Sequence, residues 1–462
     1  EELSGLKIFE GYRRRYKNPY ASSHVLGFVG KVSAEDLKKF PEFKPEDSIG
    51  TSGIESFYDK ILRGVGGKKI VEVDSRGLET SFRFTEKPQA GLAITLNLDG
   101  GLQKAAYDTV ARFTGGIKGA SVVIVDPRDG AVLSLVSFPG FDNNKFGAAL
   151  TKKEFDDILS DSLHPLFNRA VAGEFPSGST LKPLIGAAAL EENIIDPLKK
   201  IYDEGFIEIP NPYRLGEKSV FLDWKKHGWV DFYDAIALSA NVYFYMIGGG
   251  YKDQKGLGIE KIKNYAALFG LGSRLEIDIP GEKPGFIPGP ESKKITESED
   301  PIWRVGDTYN VSIGQGGVRV TPIQMASLTS TIANGGTVYQ PQLLKEILDR
   351  NGGTVQKYAP KIIRQRIISQ ESLVEVVKGM RRTVTHGTAG RLADLSVSVA
   401  AKTGTAQIGK NQLPHAWVMA FAPVENPEIA VVVMVEHAGE GSTVAVPITR
   451  EILNWYLENR KH

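Results

Sequence analysis

Pro176-Ser177-Gly178-Ser179-Thr180-Leu181-Lys182-Pro183 is the stretch from which the rest of this 462-residue chain becomes readable. Ser177 and Gly178 are turn formers, whereas Leu184, Ile185 and Ala187 to Leu190 begin an apolar helix, so Ser179 is expected at a helix N-terminus. Pro183 fits a helix only in its first turn, which independently fixes the start close to Ser179. Unpaired backbone N–H groups and the positive end of the helix dipole favour an alkoxide or oxyanion at such a position. Lys182, three residues on, falls on the same helical face, with Cβ atoms roughly 5–6 Å apart. Its amine accepts a serine proton only when burial or a neighbouring cation brings its pKa well below ~10.4. An SxxK tetrad by itself is more often a capping serine beside a solvated lysine.

Two further triplets, in the order SxN and KTG, change that reading. Ser239-Ala240-Asn241 precedes the apolar run Val242 to Ile247, so Ser239 and Asn241 are expected on a loop at the mouth of a helical lobe. A hydroxyl and an amide there relay a proton to a leaving amine and hydrogen-bond a substrate amide, although the triplet alone reads more often as a helix cap. Lys402-Thr403-Gly404 lies in the strand-like stretch Val397 to Ala406, where Gly404 removes a side chain for close backbone approach. An open strand edge there accepts a peptide as an added strand. Lys402, Thr403 and Thr405 are then candidates for a terminal carboxylate, and the backbone amides of Ser179 and Thr405 for an oxyanion hole. Lys402 is also the expected neighbouring charge that lowers the Lys182 pKa; the plainer alternative is a lysine guarding a strand edge. Together the three elements supply the polar parts of a serine acyl-transfer site.

Composition bounds the rest. The chain exceeds the size at which one core keeps growing, so two domains are expected. Hydrophobic residues at 41% and charged ones at 24% are ordinary globular usage. With 56 basic against 55 acidic residues there is no global field to attract nucleic acid. The absence of cysteine excludes disulfides, thiolate metal sites and thiol catalysis. No apolar run reaches the ~18 residues of a membrane span, and Glu1-Glu2-Leu3-Ser4 is no signal peptide.

Along the chain, residues 1–85 read as a small α+β region containing one helix, with Ile54, Phe57, Tyr58, Ile61 and Leu62 at helical spacing and glycines from Gly64 ending it. The pattern changes near Thr85 to Pro88, and residues 86–462 form the larger unit. Ala120–Asp126 and Ala131–Val136 are expected as a hairpin around Pro127-Arg128-Asp129-Gly130. Leu395–Thr405, His415–Ala422 and Ile429–Glu436 are expected strands, followed by an amphipathic helix, Val446–Leu457, with Ile448, Ile452, Leu453 and Tyr456 inward. Most of residues 150–390 reads as helical. The fold class is therefore α+β: strands from both ends join one antiparallel sheet with packed helices, and a helical lobe is inserted between them.

In their settings PSGSTLKP, ALSANVYFY and AKTGTAQ, the three motifs resemble those of penicillin-binding protein transpeptidases. Ser312 to Gly316, Thr321 to Ala326, His415 to Pro423 and Asp126 to Gly130 also match, so the resemblance covers residues 86–462 densely. His24 to Gly30 and Gly53 to Gly64 are similar to the N-terminal pedestal of class B members. Asp223-Trp224-Lys225-Lys226-His227-Gly228-Trp229 points to the elongation type, penicillin-binding protein 2, over the division type.

The resemblance implies a serine β-lactamase-like transpeptidase fold carrying a D,D-transpeptidase. Its Ser179 attacks the D-Ala-D-Ala bond of a peptidoglycan stem peptide, with Lys182, Ser239, Asn241 and Lys402 as the remaining catalytic groups, and β-lactams acylate the same serine. It further implies a catalytic domain in the periplasm, one N-terminal inner-membrane anchor, and as partners the SEDS-family glycosyltransferase RodA and the scaffold MreC. With about 85 residues ahead of the catalytic unit, the expectation is a trimmed chain without that anchor. No cofactor is implied for the reaction. Some elongation-type members hold a zinc through Asp, His and Cys ligands, for which Asp203, Asp223 and His227 are the candidates here, with no cysteine to complete the set. A β-lactamase, a D,D-carboxypeptidase or a β-lactam sensor on the same fold are the alternatives; no ExxLN segment, the mark of class A deacylation, lies between Asn241 and Lys402.

Overall fold

The computed structural model describes residues 14–460 except 42, 46, 78, 148, 149, 212, 215 and 410; the opening Glu1 to Ser4 stretch lies outside the described residues. The elements that position the site are helix α1 (Gly100–Thr114), strands β1 (Ala120–Val125) and β2 (Val132–Phe138), helices α2 (Lys182–Glu191), α3 (Phe232–Ala237), α4 (Asn241–Gly249), α5 (Pro322–Ala333) and α6 (Gln370–Thr385), strands β3 (Ala400–Ala406), β4 (His415–Ala422) and β5 (Ile429–Val435), and helix α7 (Ala445–Asn459). The five strands form one antiparallel sheet in the order β3-β4-β5-β1-β2. Strands from both ends of the sequence thus share a sheet, as their patterning predicts.

Every residue of β1, β4 and β5 is buried, which requires cover on both faces. One core joins Leu102, Ala106 and Val110 of α1, Ile448, Ile452 and Leu453 of α7, and Val122, Ile124, Val418, Ala420, Val431 and Val433 of the sheet. Helix α5 packs on β1, β4 and β5, and α6 on β3. β-Branched residues fill β1 and β5, both faces of which are packed, whereas β4 packs Ala, Met and aromatic side chains. Strand β3 lies at the sheet edge, so its outer backbone groups remain open to a partner strand. Pro127 to Gly130 forms the expected turn between β1 and β2, with Asp126 N–H donating to Ala131 O at 2.8 Å.

The inserted region is less helical than its sequence suggests. Beside α2 to α6 it carries small antiparallel pairs, Ile201–Asp203 with Gly228–Val230 and Phe206–Pro210 with Lys218–Leu222 among them. The expected helix over residues 54–62 is two short ones, Gly53–Phe57 and Asp59–Arg63, parted at Tyr58 (φ −107°, ψ 20°). Gly64, at φ 78°, ends the second as predicted.

Two compact units partition the chain, one of Glu1–Ala93 with Gly140–Leu166, the other of Ile94–Pro139 with Phe167–His462. The first is α+β: Val29–Lys31 pairs with Ser48–Gly50, and Lys68–Val73 with Glu79–Glu86. Around Phe28, Phe141 and Phe146 its rings meet at centroid separations of 4.3 to 6.0 Å. No helix among the described residues is long and apolar enough to cross a membrane.

Candidate active site

Ser179 sits in a single 3₁₀ turn, Gly178–Leu181, that runs directly into α2, with Pro183 in the first turn of that helix. Gly178 makes the turn possible: its φ is 53°, and its N–H donates to Gly314 O at 3.0 Å. A Cβ at Gly178 would also stand 2.8 Å from Thr405 O, so the nucleophile turn and the KTG strand touch backbone to backbone. Gly404 serves the same approach, since a Cβ there would lie 2.8 Å from Thr180 Cγ2 and 3.0 Å from Ser177 O.

Lys182 is fully buried. Its Nζ donates to Ser239 O at 2.7 Å and Asn241 Oδ1 at 2.7 Å, and lies 3.3 Å from Ser239 Oγ. Burial pushes its pKa down to about 7, against the opposing pull of Asp223 and Asp203. A neutral amine has two N–H groups and one lone pair. With both N–H groups held by carbonyl oxygens, the lone pair is left for a hydroxyl. Ser179 Oγ is not among the hydrogen-bond partners of this amine.

Lys402 is likewise fully buried, and its Nζ donates to Ser239 Oγ at 2.9 Å and Thr403 O at 2.9 Å. Burial and the charge of Lys182 hold its pKa well below the usual lysine range. Burial is the main cause of the Lys182 shift, and because both amines reach Ser239 Oγ, each disfavours the charged form of the other. The strand-guarding alternative fails, because an edge lysine of that kind stays in water. Thr403 is buried with its Oγ1 2.6 Å from Thr388 Oγ1, while Thr405 is exposed.

Ser239 occupies the turn between α3 and α4 at φ 61° and lies within reach of both amines. Asn241 is the first residue of α4, yet it caps nothing; the N-cap, Ala240, makes no side-chain bond. The cap comes from Asp223, whose Oδ2 accepts the Val242 N–H at 2.8 Å, with Oδ1 accepting from Trp224 N–H. This role was not visible in the sequence, where Asp223 reads only as a metal candidate. Thr388 and Gly314 were also missed; Gly314 lies within the Ser312 to Gly316 match, but nothing in that string names its contact.

Asp203, Asp223 and His227 come together as predicted, with one donor atom from each within 4.8 Å of the others. Asp203 Oδ2 and both ring nitrogens of His227 are buried and make no hydrogen bond, His227 Nε2 lying 3.7 Å from Asp223 Oδ1. Burial and the Asp223 carboxylate push the Asp203 pKa up to about 7. For Asp223, burial acts upward, but His227, the Lys182 charge and the Val242 N–H outweigh it and hold the pKa below the usual carboxylate range. Two carboxylates and an imidazole, with Asp203 Oδ2 and the His227 ring nitrogens unpaired, are a donor set that fits a divalent cation. His415 is buried; burial and His437 push its pKa down to about 4, and its Nδ1 accepts the His437 N–H.

The penicillin binding protein transpeptidase domain family matches residues 120–454, and the penicillin-binding protein dimerisation domain family matches residues 1–96. The peptidoglycan D,D-transpeptidase MrdA of Haemophilus influenzae is 34% identical over 99% of this chain and 71% of its own length. Penicillin-binding protein 2 of Pseudomonas aeruginosa, solved in complex with WCK 5153, superposes with a TM-score of 0.82 at 31% identity, covering 98% of this chain and 92% of that one. The same protein of Helicobacter pylori, solved with MreC, gives 0.82 at 30% identity over 96% of this chain and 79% of that one. Motifs, fold and both domain matches agree that the chain belongs to the penicillin-binding protein transpeptidases, within the elongation-type class B group of penicillin-binding protein 2.

Proposed function

We propose that this chain cross-links peptidoglycan as a D,D-transpeptidase of cell elongation, with Ser179 as its nucleophile. Lys182, whose pKa burial lowers to about 7, takes the Ser179 proton in its neutral form as Oγ attacks the penultimate D-Ala carbonyl of a stem peptide. The amides of Ser179 and Thr405 bind the developing oxyanion, and Ser239 passes a proton to the departing D-Ala. An amine from a neighbouring stem then attacks the acyl-enzyme, and the same groups work in reverse. Asn241 holds Lys182 and faces the substrate amide. Thr403, Gly404 and Thr405 line the strand that the peptide joins. Lys402, buried against Ser239, acts on the relay and through its field on a carboxylate.

The observation carrying this reading is that Ser239 Oγ stands within 3.3 Å of Lys182 Nζ and 2.9 Å of Lys402 Nζ, uniting motifs from three distant parts of the chain. β-Lactams would acylate the same serine. The Helicobacter pylori relative solved with MreC supports that scaffold as a partner, and the elongation-type grouping supports the SEDS-family glycosyltransferase RodA. The catalytic unit would work in the periplasm, tethered to the inner membrane by an N-terminal helix. Asp203, Asp223 and His227 would hold a zinc ion, supplying charge that fixes the segment ahead of the SxN motif. Polymerised lipid II is the test substrate: cross-linked muropeptides from the wild type and none from Ser179→Ala support the reading, and products from Ser179→Ala refute it.

A further inference from the structure

Gly441 lies in the segment between β5 and α7, outside all three motifs, yet it meets the backbone of the KTG strand. A Cβ at this position would overlap Trp417 O and stand 2.5 Å from Gly404 O and 3.2 Å from Gly404 N. Real Cβ atoms do not approach backbone this closely, so an added methyl must displace Gly404, Trp417 or the segment itself. Gly441 is not among the left-handed glycines, so its requirement is for space and not for an unusual backbone conformation.

The segment has little freedom to withdraw. Ala438 and Gly439 N–H both donate to Pro414 O at 3.0 Å, His437 N–H donates to His415 Nδ1 at 3.2 Å, and Gly441 O accepts the Val446 N–H of α7 at 2.9 Å. These bonds tie it at one end to the start of β4 and at the other to a helix anchored in the main core. Gly404 is fixed on its other contacts too, by Thr180 Cγ2 at 2.8 Å and Ser177 O at 3.0 Å from a Cβ there. The strand is thus set between the nucleophile turn and the Gly441 segment, one residue before Thr405.

We infer that Gly441 is a positioning residue for acylation: the bare backbone at this point sets where β3 stands relative to the Ser179 turn, and so where the Thr405 amide meets the oxyanion. The inference rests on the assignment of Ser179 and Thr405 to that pocket. Losing an oxyanion donor outright costs about 10²–10³ in rate, so a displaced one is expected to cost about tenfold or more.

The experiment compares Gly441→Ala with Gly409→Ala, a glycine of the β3–β4 connection that has no atom within 4 Å of an added Cβ. Labelling by a fluorescent penicillin is followed to completion at several concentrations, which separates the acylation rate at saturation from half-saturation and gives the fraction of competent protein. The expected result is a fall of about tenfold or more in the saturated rate of Gly441→Ala, half-saturation within about twofold, and a full end point. Gly409→Ala should match the wild type. A wild-type rate in Gly441→Ala overturns the inference. So does a wild-type rate with a reduced end point, or no competent protein at all, since both place the role of Gly441 in folding. Labelling of Ser179→Ala would instead overturn the nucleophile assignment, a separate result.

Discussion

The acid limb of acylation is the sharpest consequence of the buried Lys182. With its pKa at about 7, the neutral fraction rises from about 3% at pH 5.5 to about 97% at pH 8.5, about thirtyfold, and levels off above pH 8. An amine at the ordinary ~10.4 would rise tenfold per pH unit across the same range, about a thousandfold, without a plateau. The sign follows from the base being the uncharged form: rate is lost as pH falls through about 7 and is present above it. The perturbation is pH together with Lys182→Met, which keeps the apolar stem and removes the base. Stopped-flow labelling with a fluorescent penicillin should show the thirtyfold limb in the wild type. In the variant it should show a rate lower by about 10²–10⁴ and no limb near pH 7. A log-linear rise through pH 8.5 would refute the claim that burial has already lowered the pKa, and an unchanged profile in Lys182→Met would refute its role as base.

Two further outcomes follow from Asp223 and its neighbours. Asp223→Ala should lower stability by about 0.5–2 kcal/mol in chemical denaturation through loss of the α4 cap, whereas Asp223→Asn, which retains an acceptor oxygen for Val242 N–H, should lose less; equal losses would contradict the capping role. Purified protein incubated with zinc and desalted should retain about one ion per chain, falling in His227→Ala; retention unchanged in that variant would remove the site.

Much of the site was legible because its chemistry is local. Pro183 and the turn formers Ser177 and Gly178 fix the Ser179 turn, and the apolar runs of β1, β4 and β5 announce strands. What escaped depends on contacts that no local pattern encodes. The cap on α4 comes from a residue 19 positions earlier, while its formal N-cap, Ala240, offers no signal. Residues 54–62 keep helical spacing, but the backbone leaves the helix at Tyr58. The short strand pairs between Ile201 and Val230 lie in a stretch that reads as helical and are too brief for their alternation to stand out. How far burial lowers the Lys182 pKa is a property of the folded lobe, whereas the KTG lysine is visible in the string. Gly441 reads as an ordinary loop glycine until its distance to Gly404 is measured.

The most direct test of the account is the site of covalent attachment. Protein reacted with penicillin, digested and analysed by tandem mass spectrometry should carry the penicilloyl mass on the peptide containing Ser179, with fragment ions placing it on that hydroxyl. Attachment to another residue, or stoichiometric labelling of Ser179→Ala, would contradict it.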